Sequence, residues 1–226
     1  MTNSHGPFPA HFFRRADESD DAVFYQPPRF VTHIDRATIN ALTDFYREAI
    51  PVGARVLDLM SSWVSHLPDD VEYERVAGLG MNEAELADNP RLDDYVVHNL
   101  NRRPELPYED AEFDAVLNAV SIQYLTRPLD VFESVRRVLR PGGLHAVAVS
   151  HRMFPQKAVA VWQSLSPADR IALVGSYFAL TPGWGEPIVV DRSPPDADPL
   201  WIVAARTVEV RDDPDGEGEA DADPGE

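Results

Sequence analysis

The stretch Arg55-Val56-Leu57-Asp58-Leu59-Met60-Ser61-Ser62-Trp63 constrains the fold more than any other part of the chain. Ala54 to Leu59 reads as a buried strand that carries an acidic residue near its end and turns sharply toward a helix. That is the layout of the first βα unit of a doubly wound α/β sheet, in which the turn after the strand faces a ligand. Such turns are ordinarily rich in glycine, which lets the backbone approach a ligand closely. Here Met60, Ser61, Ser62 and Trp63 fill the turn. What the chain does depends on whether this turn still holds anything.

The rest of the sequence alternates strands and helices. Ile39, Leu42, Tyr46 and Ile50 fall at helical spacing, and Pro51 with Gly53 closes that helix. Tyr73 to Leu79, Tyr95 to His98 and Phe113 to Ala119 read as strands, with a short helix at Glu83 to Ala87. Pro128 opens a helix that places Leu129, Phe132, Val135, Val138 and Leu139 on one face and ends in RVLRPGG. Leu144 to Val149 is the fifth strand, helical material lies between Pro155 and Phe178, and Pro187 to Val190 and Leu200 to Ala205 are the last two strands. The pattern predicts an α/β protein: a mainly parallel, seven-stranded, doubly wound sheet in three layers.

At 226 residues the chain suits a domain with a sizeable core. Residues 1–36 form a proline- and aromatic-rich N-terminal extension, a candidate lid; 37–208 form the sheet domain; 209–226 form a tail expected to be disordered. From Asp212 to Glu226 there are eight acidic residues and no basic one, too little apolar surface to order itself. The formal charge of −18 argues against nucleic acid as a partner, because binding phosphate would add repulsion. Lys157 is the only lysine. An acidic, lysine-poor surface matches proteins of salt-loving microbes, where ions screen self-repulsion; compositional drift in a GC-rich genome gives the same pattern. With no cysteine, there are no disulfides or zinc-thiolate sites. No leader pattern or membrane-length apolar run stands out, so a cytoplasmic protein acting away from membranes is expected. The oligomeric state stays open.

Phe113-Asp114-Ala115-Val116, the helix ending Arg137-Val138-Leu139-Arg140-Pro141-Gly142-Gly143 and the following strand resemble the class I S-adenosylmethionine-dependent methyltransferases. Leu106-Pro107-Tyr108-Glu109-Asp110-Ala111-Glu112-Phe113-Asp114 is similar to the "LPF-D-x-x-FD" run of their small-molecule branch. VLDLMSSWVSHLP and GLGMNEAELADNP resemble a less-studied, type-11-like branch of the superfamily. The resemblance covers roughly residues 37–207 and implies the Rossmann-like fold, S-adenosylmethionine as cofactor and a small-molecule acceptor.

The same alignment exposes the departures. The glycines of the usual first motif fall on Met60, Ser62 and Val64, while Asp58 is kept. The ribose-gripping acid aligns with Gly80, with Asn82 as the nearest polar substitute, and the adenine-binding carboxylate aligns with Asn99. Two readings follow. In one the cofactor site is rebuilt from Asp58, Ser61, Ser62, Asn82, Asn99, Leu100 and Ser121, asparagine being able to donate and accept. In the other the cofactor is lost, and Met60 and Trp63 fill the vacated pocket, leaving a non-catalytic binding or scaffold protein. For chemistry, Tyr124 and His151 are the catalytic candidates, His151 as a base near neutral pH. Tyr25, Arg29, His33 and Arg152 are the candidate substrate contacts, Arg152 for an anion. Histidine spacing offers no metal motif, and His66 and His98 read as hydrogen-bonded internal residues.

Overall fold

The structure is a computed structural model that describes residues 6–208, so the acidic tail lies outside the described residues. Its elements run α1 (Asp21–Phe24), α2 (Arg36–Ala49), β1 (Arg55–Ser61), β2 (Arg75–Gly80), α3 (Glu83–Ala87), β3 (Asp94–Val97), β4 (Phe113–Ala119), α4 (Pro128–Val138), β5 (Leu139–Val149), α5 (Ala160–Ser164), α6 (Pro167–Leu180), β6 (Ile188–Asp191) and β7 (Trp201–Arg206). The seven strands form one sheet in the order β3-β2-β1-β4-β5-β7-β6. All neighbours pair in parallel except β7, which runs antiparallel to both β5 and β6. The chain reverses strand order between β1 and β4, which opens a crevice at the carboxyl ends of those strands.

Period-two alternation along the strands divides the core in two. Val56, Val76, Ala115, Leu117 and Ala146 face α2, against Leu42, Phe45 and Tyr46. Leu57, Leu59, Ala77, Val116 and Val147 face the opposite way, against Phe132 and Val135 of α4 and Val174 and Phe178 of α6. Each large side chain so buried contributes roughly 2 kcal/mol. The Asp35 carboxylate accepts from the Thr38 N–H at 2.9 Å and caps α2. Pro128 and Pro167 each open a helix where a missing N–H costs nothing.

The sheet and its helices agree with the sequence pattern, α3 to the residue. Most strand ends shift by one or two residues, and one boundary differs by more. RVLRPGG ends α4 at Val138, and β5 begins at once, with Leu139 opposite Phe113 before a register shift. Arg140 to Gly143 have no apolar alternation that would signal a strand; they are held instead by exchange with Thr207, whose N–H donates to Gly143 O and whose carbonyl accepts from Gly142 N–H.

Candidate functional site

At the carboxyl ends of β1, β2 and β4 lies a cavity of about 360 Å³, within the size range of small-molecule sites. Its floor begins with the β1 turn. The β1–β2 register skips between Leu59 and Ser61, so that Ser61 sits opposite Gly80 and Met60 bulges out of the ladder. Met60 adopts φ +59°, the left-handed conformation that glycine supplies in such bulges. The shape of the glycine turn is thus kept by a residue that pays roughly 1 kcal/mol of strain for it. His66 (φ +56°) and Val120 (φ +48°) also line the cavity in left-handed conformations. Strain of this kind persists where surrounding structure enforces it, often at ligand sites.

Met60 packs against the core on the α4 side. The Trp63 indole N–H donates to Val31 O at 3.1 Å, and its ring meets Phe30 edge-on at 6.3 Å. Both side chains border the cavity, and it stays open.

The polar residues of the turn are held by each other. Ser61 Oγ donates to Asp58 Oδ2 at 2.5 Å. Asp58 is buried, and burial raises its carboxyl to about 6 against the pull of hydrogen bonds from Ser61 and Ser65. Ser62 Oγ donates to Glu85 Oε2 at 2.5 Å. Ser121 Oγ donates to Asn118 Oδ1 at 3.1 Å, while Asn118 Nδ2 and the Tyr46 hydroxyl are buried without protein partners. Among the described residues, the backbone N–H groups of Trp63 and Val64 donate to no protein acceptor. Asn99 Oδ1 accepts from the Asn101 and Arg102 N–H groups, leaving its Nδ2 uncommitted; Leu100 is buried beside it.

Two expectations for site residues are corrected. Asn82 is not free to pair a ribose: Oδ1 caps α3 through the Glu85 N–H at 3.1 Å, and both Nδ2 hydrogens go to Tyr25 O and Gln26 O at 2.8 and 2.9 Å. His151 does not border the cavity; it turns to Asp198, 3.2 Å from its Nε2. Arg152 borders the cavity, but Asp198 already pairs it at 3.0–3.1 Å. His66 also differs from expectation, since its Nδ1 is buried without a partner, whereas His98 Nε2 meets Arg103 O at 2.7 Å. Burial holds His66 down to about 4.

Tyr124, Tyr25, Arg29 and His33 all line the cavity. The Tyr124 hydroxyl accepts the Phe154 N–H at 2.8 Å, and its ring stacks on Phe154 at 6.0 Å. Burial raises the phenols of Tyr124 and Tyr25. His33 lies at the mouth, edge-on to Phe154 at 5.1 Å, and is held below its usual value first by loss of solvent.

The N-terminal segment runs across the mouth and is fastened along its length. Asn82 holds Tyr25 and Gln26, Glu85 Oε1 takes the Arg29 N–H at 2.7 Å, and Trp63 holds Val31. At its start sits an ion cluster with Lys157 at its centre, fully buried at 0% exposure. Lys157 Nζ lies 2.7 Å from Ser19 O and 3.2 Å from both Asp17 and Asp21, and Asp21 also takes Arg15 at 2.6 Å and Asn101 at 2.8 Å. Glu85, Asp21 and Lys157 were not among the sequence candidates. Two signals were available: the Asn-x-x-Glu spacing from Asn82 to Glu85, which is a helix-start pattern, and the uniqueness of the lysine.

Residues 63–147 match the family described as Methyltransferase domain. The match begins at Trp63, inside the turn that lacks its glycines. Solved structures share the fold. A SAM-dependent methyltransferase from Aquifex aeolicus superposes with a TM-score of 0.55 at 17% identity, over 76% of this chain and 92% of that one. The Burkholderia thailandensis 1,6-didemethyltoxoflavin-N1-methyltransferase, solved with 1,6-didemethyltoxoflavin and S-adenosylhomocysteine, gives 0.55 at 16%, over 77% and 80%. The [4+2]-cyclase SpnF gives 0.54 at 17%, over 75% and 81%. No curated protein matches by sequence. The matched stretch resembles a methyltransferase domain, and the fold is the one shared by class I S-adenosylmethionine-dependent methyltransferases. Among the described residues no helix is long and apolar enough to cross a membrane.

Proposed function

We propose that the cavity binds S-adenosylmethionine and that the protein methylates a small molecule in the cytoplasm. The observation that carries this reading is the open cavity of about 360 Å³ at the carboxyl edge, bordered by a turn that keeps its glycine-like path through Met60. The chain's groups suit the ligand in part. The free N–H groups of Trp63 and Val64 would take its carboxylate, and Asn99 Nδ2 with Leu100 would frame the adenine. Bound there, the cofactor supplies an electrophilic methyl on sulfur. The protein contributes position and exclusion of water, the larger share of what such a transfer needs. The N-terminal segment covers the reacting groups. The Tyr124 hydroxyl orients an acceptor, and His33, neutral at pH 7, can take a proton from it. The charge of −18 favours a small acceptor over nucleic acid.

A second reading, a methyltransferase fold that binds without turnover, is favoured by the β2 end. Gly80 has Ser61 O where an acid would stand, and the Asn82 amide is spent on the N-terminal segment. Calorimetric titration with S-adenosylmethionine and S-adenosylhomocysteine decides between them. Saturable binding is expected, weakened about tenfold or more (at least 1.4 kcal/mol) by Asn99→Ala and Ser61→Trp. No heat and no thermal stabilisation at millimolar ligand would sink the enzyme reading.

A further inference from the structure

We propose that the acceptor carries a carboxylate or phosphate, docked on the guanidinium of Arg29; this rests on the methyl-acceptor reading above and narrows its substrate class. Arg29 borders the cavity from the N-terminal segment. Its Nη2 donates to Phe24 O at 2.9 Å and its Nη1 to Pro27 O at 3.4 Å. A guanidinium has five N–H donors, so most remain available. Aromatic rings hold the group in place, Phe24 at 4.6 Å, Phe154 at 5.4 Å and Tyr25 at 5.9 Å from the guanidinium carbon.

What Arg29 lacks is an acid. Its guanidinium has no carboxylate oxygen within 4.0 Å among the described residues, although the chain has an acidic excess of −18. The nearby carboxylate, Glu85, is engaged through one oxygen by the Arg29 backbone N–H and through the other by Ser62 Oγ. The other arginine that borders the cavity, Arg152, is neutralised by Asp198, and Lys157 and Arg15, outside its lining, are neutralised by Asp17 and Asp21. A planar, always-charged donor fixed between rings and left without a counter-ion suits bidentate capture of a carboxylate or phosphate. The same rings give the body of such a ligand an apolar or aromatic surface to lie against.

The test uses benzoate and phenyl phosphate, with benzamide and phenol as uncharged controls, read by ligand-observed NMR and calorimetry on protein saturated with S-adenosylhomocysteine. At least one acid is expected to bind about tenfold tighter than its uncharged control, and the two acids separate carboxylate from phosphate. Arg29→Gln should erase that preference and Arg29→Lys should keep part of it. Both variants leave the backbone N–H bond to Glu85 in place, and a thermal melt checks that they fold. Equal binding of acid and control, no acid binding at millimolar concentration, or an unchanged preference in Arg29→Gln would overturn the proposal. So would Arg29→Gln weakening S-adenosylhomocysteine while leaving the acids unaffected, because that would assign Arg29 to the cofactor. If S-adenosylhomocysteine does not bind at all, the acid preference and its loss in Arg29→Gln are still expected on free protein, so the two failures carry different signatures.

Discussion

At Gly80 one residue has been shaped by its neighbour. A Cβ there would stand 2.3 Å from Ser61 O and 3.1 Å from a Leu86 methyl. The carbonyl belongs to a laddered strand end and cannot swing aside as a flexible side chain would. Gly80→Ala is therefore expected to cost about 1–3 kcal/mol by denaturant unfolding, and Gly80→Asp, which would restore the family's usual acid, at least as much. Wild-type stability in Gly80→Ala would show that the β1 turn can retreat. Of the positions where the resemblance loses its glycines or acid, Met60 takes the left-handed conformation of a glycine turn and Gly80 meets Ser61 O. The sequence reading misjudged Asn82, because the carbonyls that consume its amide belong to Tyr25 and Gln26, 57 and 56 residues away. No local pattern records such partners. His151 failed for a related reason: whether a residue past a strand faces the crevice or Asp198 depends on one loop bend.

Among the elements, periodic ones were legible and the aperiodic one was not. β1, β2 and β4 announce themselves as short, nearly continuous apolar runs, and α2 and α4 by 3.6 spacing. The N-terminal segment has no period; its aromatics indicated that it covers something, and only three dimensions reveal its fastening. That fastening makes a testable claim. Lys157→Met removes the centre of a buried ion cluster and leaves Asp17 and Asp21 short of a partner. It should cost about 3–5 kcal/mol, with amide exchange rising first over residues 17–34. Protection lost uniformly across the sheet instead would mean the cluster supports the core and not the segment.

For the whole molecule, buried groups set opposing pH dependences, Asp58 in one direction and His145, joined by His66, in the other. Asp58 rises from 3.8 to about 6 on folding, so its contribution is greatest when protonated and declines as pH climbs between those values. His145, buried among Phe132, Phe178 and Trp184 with Val116 O at 3.0 Å, falls from 6.5 to about 4. Its contribution is complete above 6.5 and is lost as pH drops toward 4. Each amounts to about 3 kcal/mol over its range. Asp58→Asn, which keeps an acceptor for Ser61 Oγ, should raise stability at pH 7 and steepen the acid limb. His145→Phe should flatten that limb, at a neutral-pH cost of about 1 kcal/mol for the lost hydrogen bond. Urea titrations across this range read both slopes, and parallel curves for wild type and either variant would contradict the assignment.

The buried Lys157 has a practical corollary. Because it is the chain's single lysine and has no exposed surface, its amine is shielded from acylating reagents while the N-terminal segment is seated. Progressive modification of that one side chain in otherwise native protein would therefore time how often the entrance to the crevice is uncovered.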